Sequence, residues 1–379
     1  MLFEFATASR ILYGPGTVRD LPAAAAQMGR RALLVTGASI ERALPLVPGL
    51  DAVPLAVPGE PTVDLIRQGT AYAGAEGCDL VIAIGGGSAI DAGKALAALL
   101  TNPGDPLDYL EVIGRGQPLE RAPAPFIAVP TTSGTGSEVT RNAVLGSPEH
   151  RVKASLRSAA MLPRLAIIDP ELTVTLPRAV TASTGLDALT QLIEPYVSSR
   201  ANFMTDLFCI DGIRRAATAL PAAWENGADR EARTAMSWAA LLGGLALANA
   251  GLGAVHGFAA PVGGMFPAPH GAVCAAVLPH AMRVNIQALR AREPHGRALD
   301  RYPEVARILT GDPHATAEEG AQWVGQLCRR FEIPPLRTYG VRDEDIPVLI
   351  EKAARSSSMK GNPIALTAGE LREIVAASL

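Results

Sequence analysis

Between residues 31 and 169 the apolar positions come in short unbroken runs rather than alternating ones. Arg31-Ala32-Leu33-Leu34-Val35-Thr36 closes on Gly37, and Asp79-Leu80-Val81-Ile82-Ala83-Ile84 closes on three glycines. Residues 125–130 and 165–169 follow the same pattern. Runs of this length bounded by turn residues read as strands. A strand that is apolar at every position has both faces covered, as in a parallel sheet with helices on either side. Helical spacing over 63–76 and 88–100 fills the gaps between runs. The alternation predicts a doubly wound, Rossmann-like α/β layer.

After Leu176-Pro177-Arg178 the period changes, and long Ala/Leu-rich stretches at 179–198, 205–224, 231–252 and 273–289 predict helices with no further strand. The chain therefore divides near residue 178, into an α/β domain over 1–178 and an all-helical domain over 179–379. A cleft between two such domains is the usual place for a ligand. Residues 234–282 contain no Asp, Glu, Lys or Arg, and 237–255 approaches the length of a membrane span. The stretch is rich in Ala and Gly, is interrupted by Asn249 and His256, and has no basic flank, so it reads as a buried helical pattern ending at His256.

Composition narrows the classes. In 379 residues, 48% are hydrophobic, 19% are charged and the net charge is −3, which excludes a disordered chain and gives no electrostatic case for nucleic acid or an anionic membrane. Cys78, Cys209, Cys274 and Cys328 are far apart and form no CxxC pair; they read as small buried thiols, neither a disulfide framework nor a zinc site. The first residues lack a basic region followed by a long apolar one, so the expected location is the cytoplasm.

Three features carry chemistry. Gly85-Gly86-Gly87-Ser88 joins a strand to a helix, where free N–H groups and the positive dipole end suit a phosphate, and Ser88 can cap the helix. Thr131-Thr132-Ser133-Gly134-Thr135-Gly136-Ser137 follows the next strand; two such loops share the carboxyl edge of the sheet, where open α/β sheets bind ligands. Asp187 and Gln191 stand one turn apart on a predicted helix, and His256 and His270 are two of the six histidines. An Asp with two His suits a divalent transition metal. Each alone also fits a core or capping residue.

Together the segments resemble the iron-containing (group III) alcohol dehydrogenases. The resemblance runs over nearly the whole chain, most specifically in GGGSAIDAGK (85–94), PTTSGTGSEVT (130–140), DPELTVTLP (169–177), GLDALT (185–190) and HGFAAPVGGMFPAPHG (256–271). It implies reversible hydride transfer between NAD or NADP and a primary alcohol or aldehyde, a divalent metal such as iron(II) or zinc in the interdomain cleft, and a homodimer. Carried over, Gly86, Gly87 and Ser88 hold the pyrophosphate. Asp91, Thr131, Thr132, Thr135 and Ser137 line the cofactor's path, Lys153 lies near its ribose, and Leu172 and Leu176 flank the adenine. Asp187, His256 and His270 match catalytic metal ligands.

Two positions depart from the family pattern. Gln191 stands where a fourth ligand His is usual, and Ala260 where a second His often lies near substrate. Gln191 offers an amide oxygen, a weaker and neutral ligand. At the end of the first strand run, Gly37 replaces an Asp common in NAD-preferring members and Ser39 offers a hydroxyl, which leans toward NADP. Three other readings stay open: a metal-independent reductase similar to maleylacetate reductases, a dehydroquinate-synthase-like cyclase, and a weakened nucleotide-binding protein.

Overall fold

The computed structural model describes residues 2–379 and divides into two compact units. The α/β unit, Ala6–Thr132 with Gly136–Val174, contains β1 (Ile11–Tyr13), α1 (Leu21–Ala26), β2 (Arg31–Thr36), β3 (Asp51–Ala56), α2 (Val63–Ala75), β4 (Leu80–Gly85), α3 (Gly87–Thr101), α4 (Pro106–Tyr109), β5 (Phe126–Pro130), β6 (Asn142–Ser147), β7 (Val152–Arg157) and β8 (Leu165–Ile168). Six of the strands pair in parallel in the order β1-β8-β5-β4-β2-β3.

The four apolar runs are the four inner strands. Successive side chains of a strand face opposite ways. Leu33, Val35, Val81 and Ala83 thus enter one core with Ile90 and Leu96 of α3, while Leu34, Ile82 and Ile84 enter another with Leu21 and Ala25 of α1. Both faces are dry, and this is why no polar residue interrupts the runs. The edge strands were not expected: β1 has three residues, and β3 is partly exposed and contains Pro54, which only an edge tolerates. The antiparallel β6–β7 hairpin was also not expected.

The helical unit comprises Thr175–Leu379, the N-terminal residues through Phe5, and Ser133–Thr135. The cut between Val174 and Thr175 lies just ahead of the expected residue 178. Its helices are α5 (Arg178–Val197), α6 (Phe203–Glu225), α7 (Arg230–Ala250), α8 (Ala254–Met265), α9 (His270–Arg292), α10 (Arg297–Thr310), α11 (Ala317–Arg330), α12 (Ile346–Arg355) and α13 (Ala368–Ala377). The uncharged stretch is not one helix. Gly251 has φ 73°, a left-handed conformation that suits glycine, and α8 leaves α7 at 98°. His256 therefore lies in the first turn of a new helix rather than at the end of an old one. Among the described residues only α9 is by itself long and apolar enough to cross a membrane, and 72% of that window is buried within the protein.

Candidate functional site

In the α/β unit the glycine turn has a steric cause. A Cβ on Gly85 would lie 2.6 Å from the Ala89 Cβ and 3.2 Å from the Gly37 nitrogen. Gly86 is the N-cap of α3 and has no side-chain cap, so the first N–H groups of Gly87 and Ser88 are not taken by one. Ser88 lies inside the first turn and does not cap it, contrary to expectation. The Thr131 N–H donates to the Gly85 carbonyl at 2.9 Å, and a Cβ on Gly86 would lie 3.4 Å from Thr132 Cγ2. The two loops expected at one sheet edge do lie side by side.

Other residues expected at the cofactor are engaged within the unit. Ser137 Oγ donates to Asp91 Oδ1, and Asp91 Oδ2 accepts from the Val144 N–H at 3.0 Å. Lys153 pairs with Glu60 at 2.5 Å. Ser39 Oγ bonds Glu41 Oε2 at 3.0 Å. The Glu41 carboxyl, accepting from its own backbone N–H and from Ser39, stays below the usual carboxylate range. A Cβ on Gly37 would meet nothing within 4 Å. Leu172 packs at the edge of the α1-side core. In the helical unit, the Leu176 carbonyl accepts from Arg233, and Ser133 and Ser237 share a hydrogen bond of 2.9 Å. Thr135 belongs to this unit too.

A second site is built from α5, α8 and α9. Asp187, Gln191 and Glu194 follow one another on one face of α5, at i, i+4 and i+7. Glu194 reaches the start of α8: Oε1 accepts the Val255 N–H at 2.7 Å, and Oε2 lies 2.6 Å from His256 Nδ1. The Ala254 N–H beside it donates to Asn362 Oδ1 at 3.0 Å. Glu194 accepts a hydrogen bond from His256 Nδ1, which leaves Nε2 as the ring atom turned toward Asp187. That nitrogen lies 3.3 Å from Asp187 Oδ1, and His270 Nε2 lies 3.7 Å from the same oxygen. A Cβ on Gly271 would fall 2.6 Å from the Ser183 carbonyl, so glycine is what lets the start of α9 press against α5.

One further donor joins them. Cys274 Sγ lies 3.8 Å from His256 Nε2 and 3.7 Å from His270 Nε2, and the four ligand atoms are all within 4.8 Å of one another. Asp187 is 1% exposed and Gln191 2%, yet Asp187 Oδ1 and Gln191 Oε1 make no hydrogen bond. Buried oxygens left this way cost stability unless something else satisfies them. Burial pushes the two imidazoles down, but the Cys274 sulfur and the Asp187 carboxylate reverse it, so both stand above the ordinary range, His256 well above. Burial pushes Asp187 up, and His270 and His256 outweigh it, so its carboxyl lies below its ordinary value. The pocket is arranged for positive charge among inward-facing donors, which fits a divalent cation.

Sequence comparison identifies the family. The profile of iron-containing alcohol dehydrogenases matches residues 8–170, and that of the family's C-terminal region matches 181–379. The chain belongs to the iron-containing alcohol dehydrogenase family. It is 38% identical over 315 residues to alcohol dehydrogenase 4 of Schizosaccharomyces pombe, covering 83% of this chain and 72% of that one. The solved 1,3-propanediol oxidoreductase superposes with TM-score 0.90 at 31% identity, with both chains fully covered. Sulfoacetaldehyde reductase from Bifidobacterium kashiwanohense, solved in complex with NAD+, gives 0.86 at 27%, covering 99% and 98%. This member of the family is an oxidoreductase acting on alcohols, with the α/β-plus-helical fold expected. Glu41, Glu194 and Cys274 were not singled out from sequence. Glu194 had a signal in its i+7 spacing from Asp187, and Cys274 in its i+4 spacing from His270.

Proposed function

We propose that this chain interconverts a small primary alcohol and its aldehyde using NAD(H), with a divalent metal held by Asp187, His256 and His270. The carrying observation is the buried Asp187 Oδ1, without a hydrogen bond and within 4.8 Å of the donor atoms of His256 and His270. When bound, the metal acts as a Lewis acid on the substrate oxygen, lowering the alcohol's pKa in one direction and stabilising alkoxide charge in the other. NAD(H) supplies or accepts the hydride. The chain's own part is to hold these groups. Glu194 keeps the Nδ1 proton of His256 so that Nε2 is the donating atom, and the N-terminus of α3 offers N–H groups to a pyrophosphate. Ala260 has no acid–base group, so the chain supplies no proton relay at that position. Metal-stripped protein should lose aldehyde-dependent NADH oxidation and regain it with iron(II) or zinc, while His270→Ala should regain none. Full activity in stripped protein would move the assignment to a metal-independent reductase.

Cofactor choice turns on Glu41. The lean toward NADP rested on Gly37 and a free Ser39 hydroxyl; that hydroxyl is bonded to an ionised carboxylate, which repels a 2′-phosphate. NADH should therefore be used more efficiently than NADPH, and Glu41→Gln should narrow the gap. A wild-type preference for NADPH would refute this. The homodimer is supported by Phe203 and Leu207, 64% and 66% exposed one turn apart on α6; a monomeric mass in sedimentation would count against it.

A further inference from the structure

We propose that Cys274 is the fourth ligand of the metal site, binding as a thiolate in the role that Gln191 cannot fill with charge, so that the site is Asp–His–His–Cys and favours zinc or cobalt over iron(II). The inference rests on the metal reading above and concerns a residue outside the expected ligand set. Cys274 is fully buried on α9, one turn after His270, so both side chains leave the same face of one helix. Its sulfur lies 3.8 and 3.7 Å from the His256 and His270 Nε2 atoms, which themselves lie 3.3 and 3.7 Å from the shared carboxylate oxygen. In a tetrahedral site with ordinary bond lengths, nitrogen and oxygen donors stand about 3.3 Å apart and sulfur about 3.6 Å from nitrogen. The distances of 3.3 Å for His256 to Asp187, and of 3.7 and 3.8 Å for the sulfur to the nitrogens, lie close to those edges, while His270 to Asp187, at 3.7 Å, is the long one.

The other cysteines have no such surroundings. Burial, with Asp206 adding to it, drives the Cys209 thiol far up, and burial pushes Cys328 up to about 12 against Arg329. Among the described residues, only Cys274 joins a cluster of metal-type donors. Gln191 competes poorly: a neutral amide oxygen is a hard, weak ligand beside a thiolate, and soft ligands favour zinc over metals that prefer oxygen. On binding, the Sγ–H bond breaks, the Sγ–metal bond forms, and the proton passes to solvent. The thiolate and Asp187 together balance a divalent charge that Asp187 alone leaves half compensated.

The test is an anaerobic cobalt(II) titration of metal-stripped, full-length protein, read by absorption. We expect one cobalt per chain, with visible bands of tetrahedral cobalt and a near-ultraviolet thiolate-to-cobalt charge-transfer band. Cys274→Ser should lose the charge-transfer band and bind zinc at least about tenfold more weakly in chelator competition, whereas Gln191→Ala should keep both. Gln191→His placed in the Cys274→Ser background should restore affinity without restoring the band, which separates ligand loss from misfolding. Cobalt bound to wild type without a charge-transfer band would overturn the thiolate ligand and leave the metal reading intact. No cobalt bound at all would overturn both.

Discussion

One carboxylate fixes which nitrogen of His256 faces the cluster. Glu194 accepts from Nδ1 at 2.6 Å and from the Val255 N–H at 2.7 Å, so the same group caps α8 and sets the tautomer. Glu194→Gln keeps the size and one acceptor, but its amide can turn an N–H toward Nδ1. The imidazole proton then moves to Nε2, where a metal would bind. Such outer partners typically account for about 10- to 100-fold in metal affinity. We expect a zinc affinity lowered by that factor with an unchanged circular dichroism spectrum; an unchanged affinity would show that the tautomer is set otherwise. Asp187, His256 and His270 are singled out in the sequence by residue type and joined into one candidate ligand set only by the resemblance, because residues from three separated helices have no spacing rule that unites them. Cys274 was passed over because a lone cysteine reads as a buried thiol until its neighbours are known.

At the scale of elements, α3 is joined to the β6–β7 hairpin by a buried ammonium. Lys94 Nζ pairs with Asp91 at 3.0 Å and donates to the Ser137 carbonyl and Thr140 Oγ1, each at 3.0 Å, and to the Asn142 carbonyl. Burial pushes its pKa down, and Asp91 and Glu138 oppose that shift. A buried lysine is tolerable only with acceptors of this kind. Glu138 shares the burial, which raises its pKa from 4.5 to about 7 despite Lys94. The folded chain thus keeps a proton that the unfolded chain releases near 4.5. Stability from this group is full below that pH, is lost as pH rises to about 7, and is flat beyond. The shift corresponds to about 3 kcal/mol. Glu138→Gln should remove the dependence, so its stability relative to wild type should rise between about pH 5 and 7 in denaturant melts. A constant difference across that window would show that Glu138 is ionised throughout. None of this was legible in the sequence: GGGSAIDAGK and GSEVT were read toward a ligand, while Asp91, Lys94 and Ser137 turn to one another. The inner strands were legible because burial on both faces leaves one kind of residue. The edges and hairpin were not, because each is short or half exposed.

For the whole molecule, the two sites belong to different units. The glycine turn and Thr131–Thr132 lie in the α/β unit, whereas Asp187, His256, His270 and Cys274 all lie in the helical unit. Ser133–Thr135 cluster with the helical unit although the chain on both sides of them belongs to the α/β unit, and a contiguous reading cannot place a loop with helices that follow it. Binding stabilises whatever part of a chain forms its site, by RT ln(1 + [L]/Kd), or about 2.7 kcal/mol at a hundredfold excess over Kd. Local opening is also not uniform across a fold. Zinc added to stripped protein should slow amide exchange in α5, α8 and the first turns of α9, where the donors sit. NADH should instead slow exchange at the turn between β4 and α3. Exchange mass spectrometry reads both in one protein, each ligand serving as the other's control. If zinc protected only the β4–α3 turn, or protected nothing in α5, α8 and α9, the metal would not be held by these residues. If the two patterns are separate and each lies in its own unit, loss of metal and loss of cofactor become independent routes to inactivation, and each can be corrected without the other.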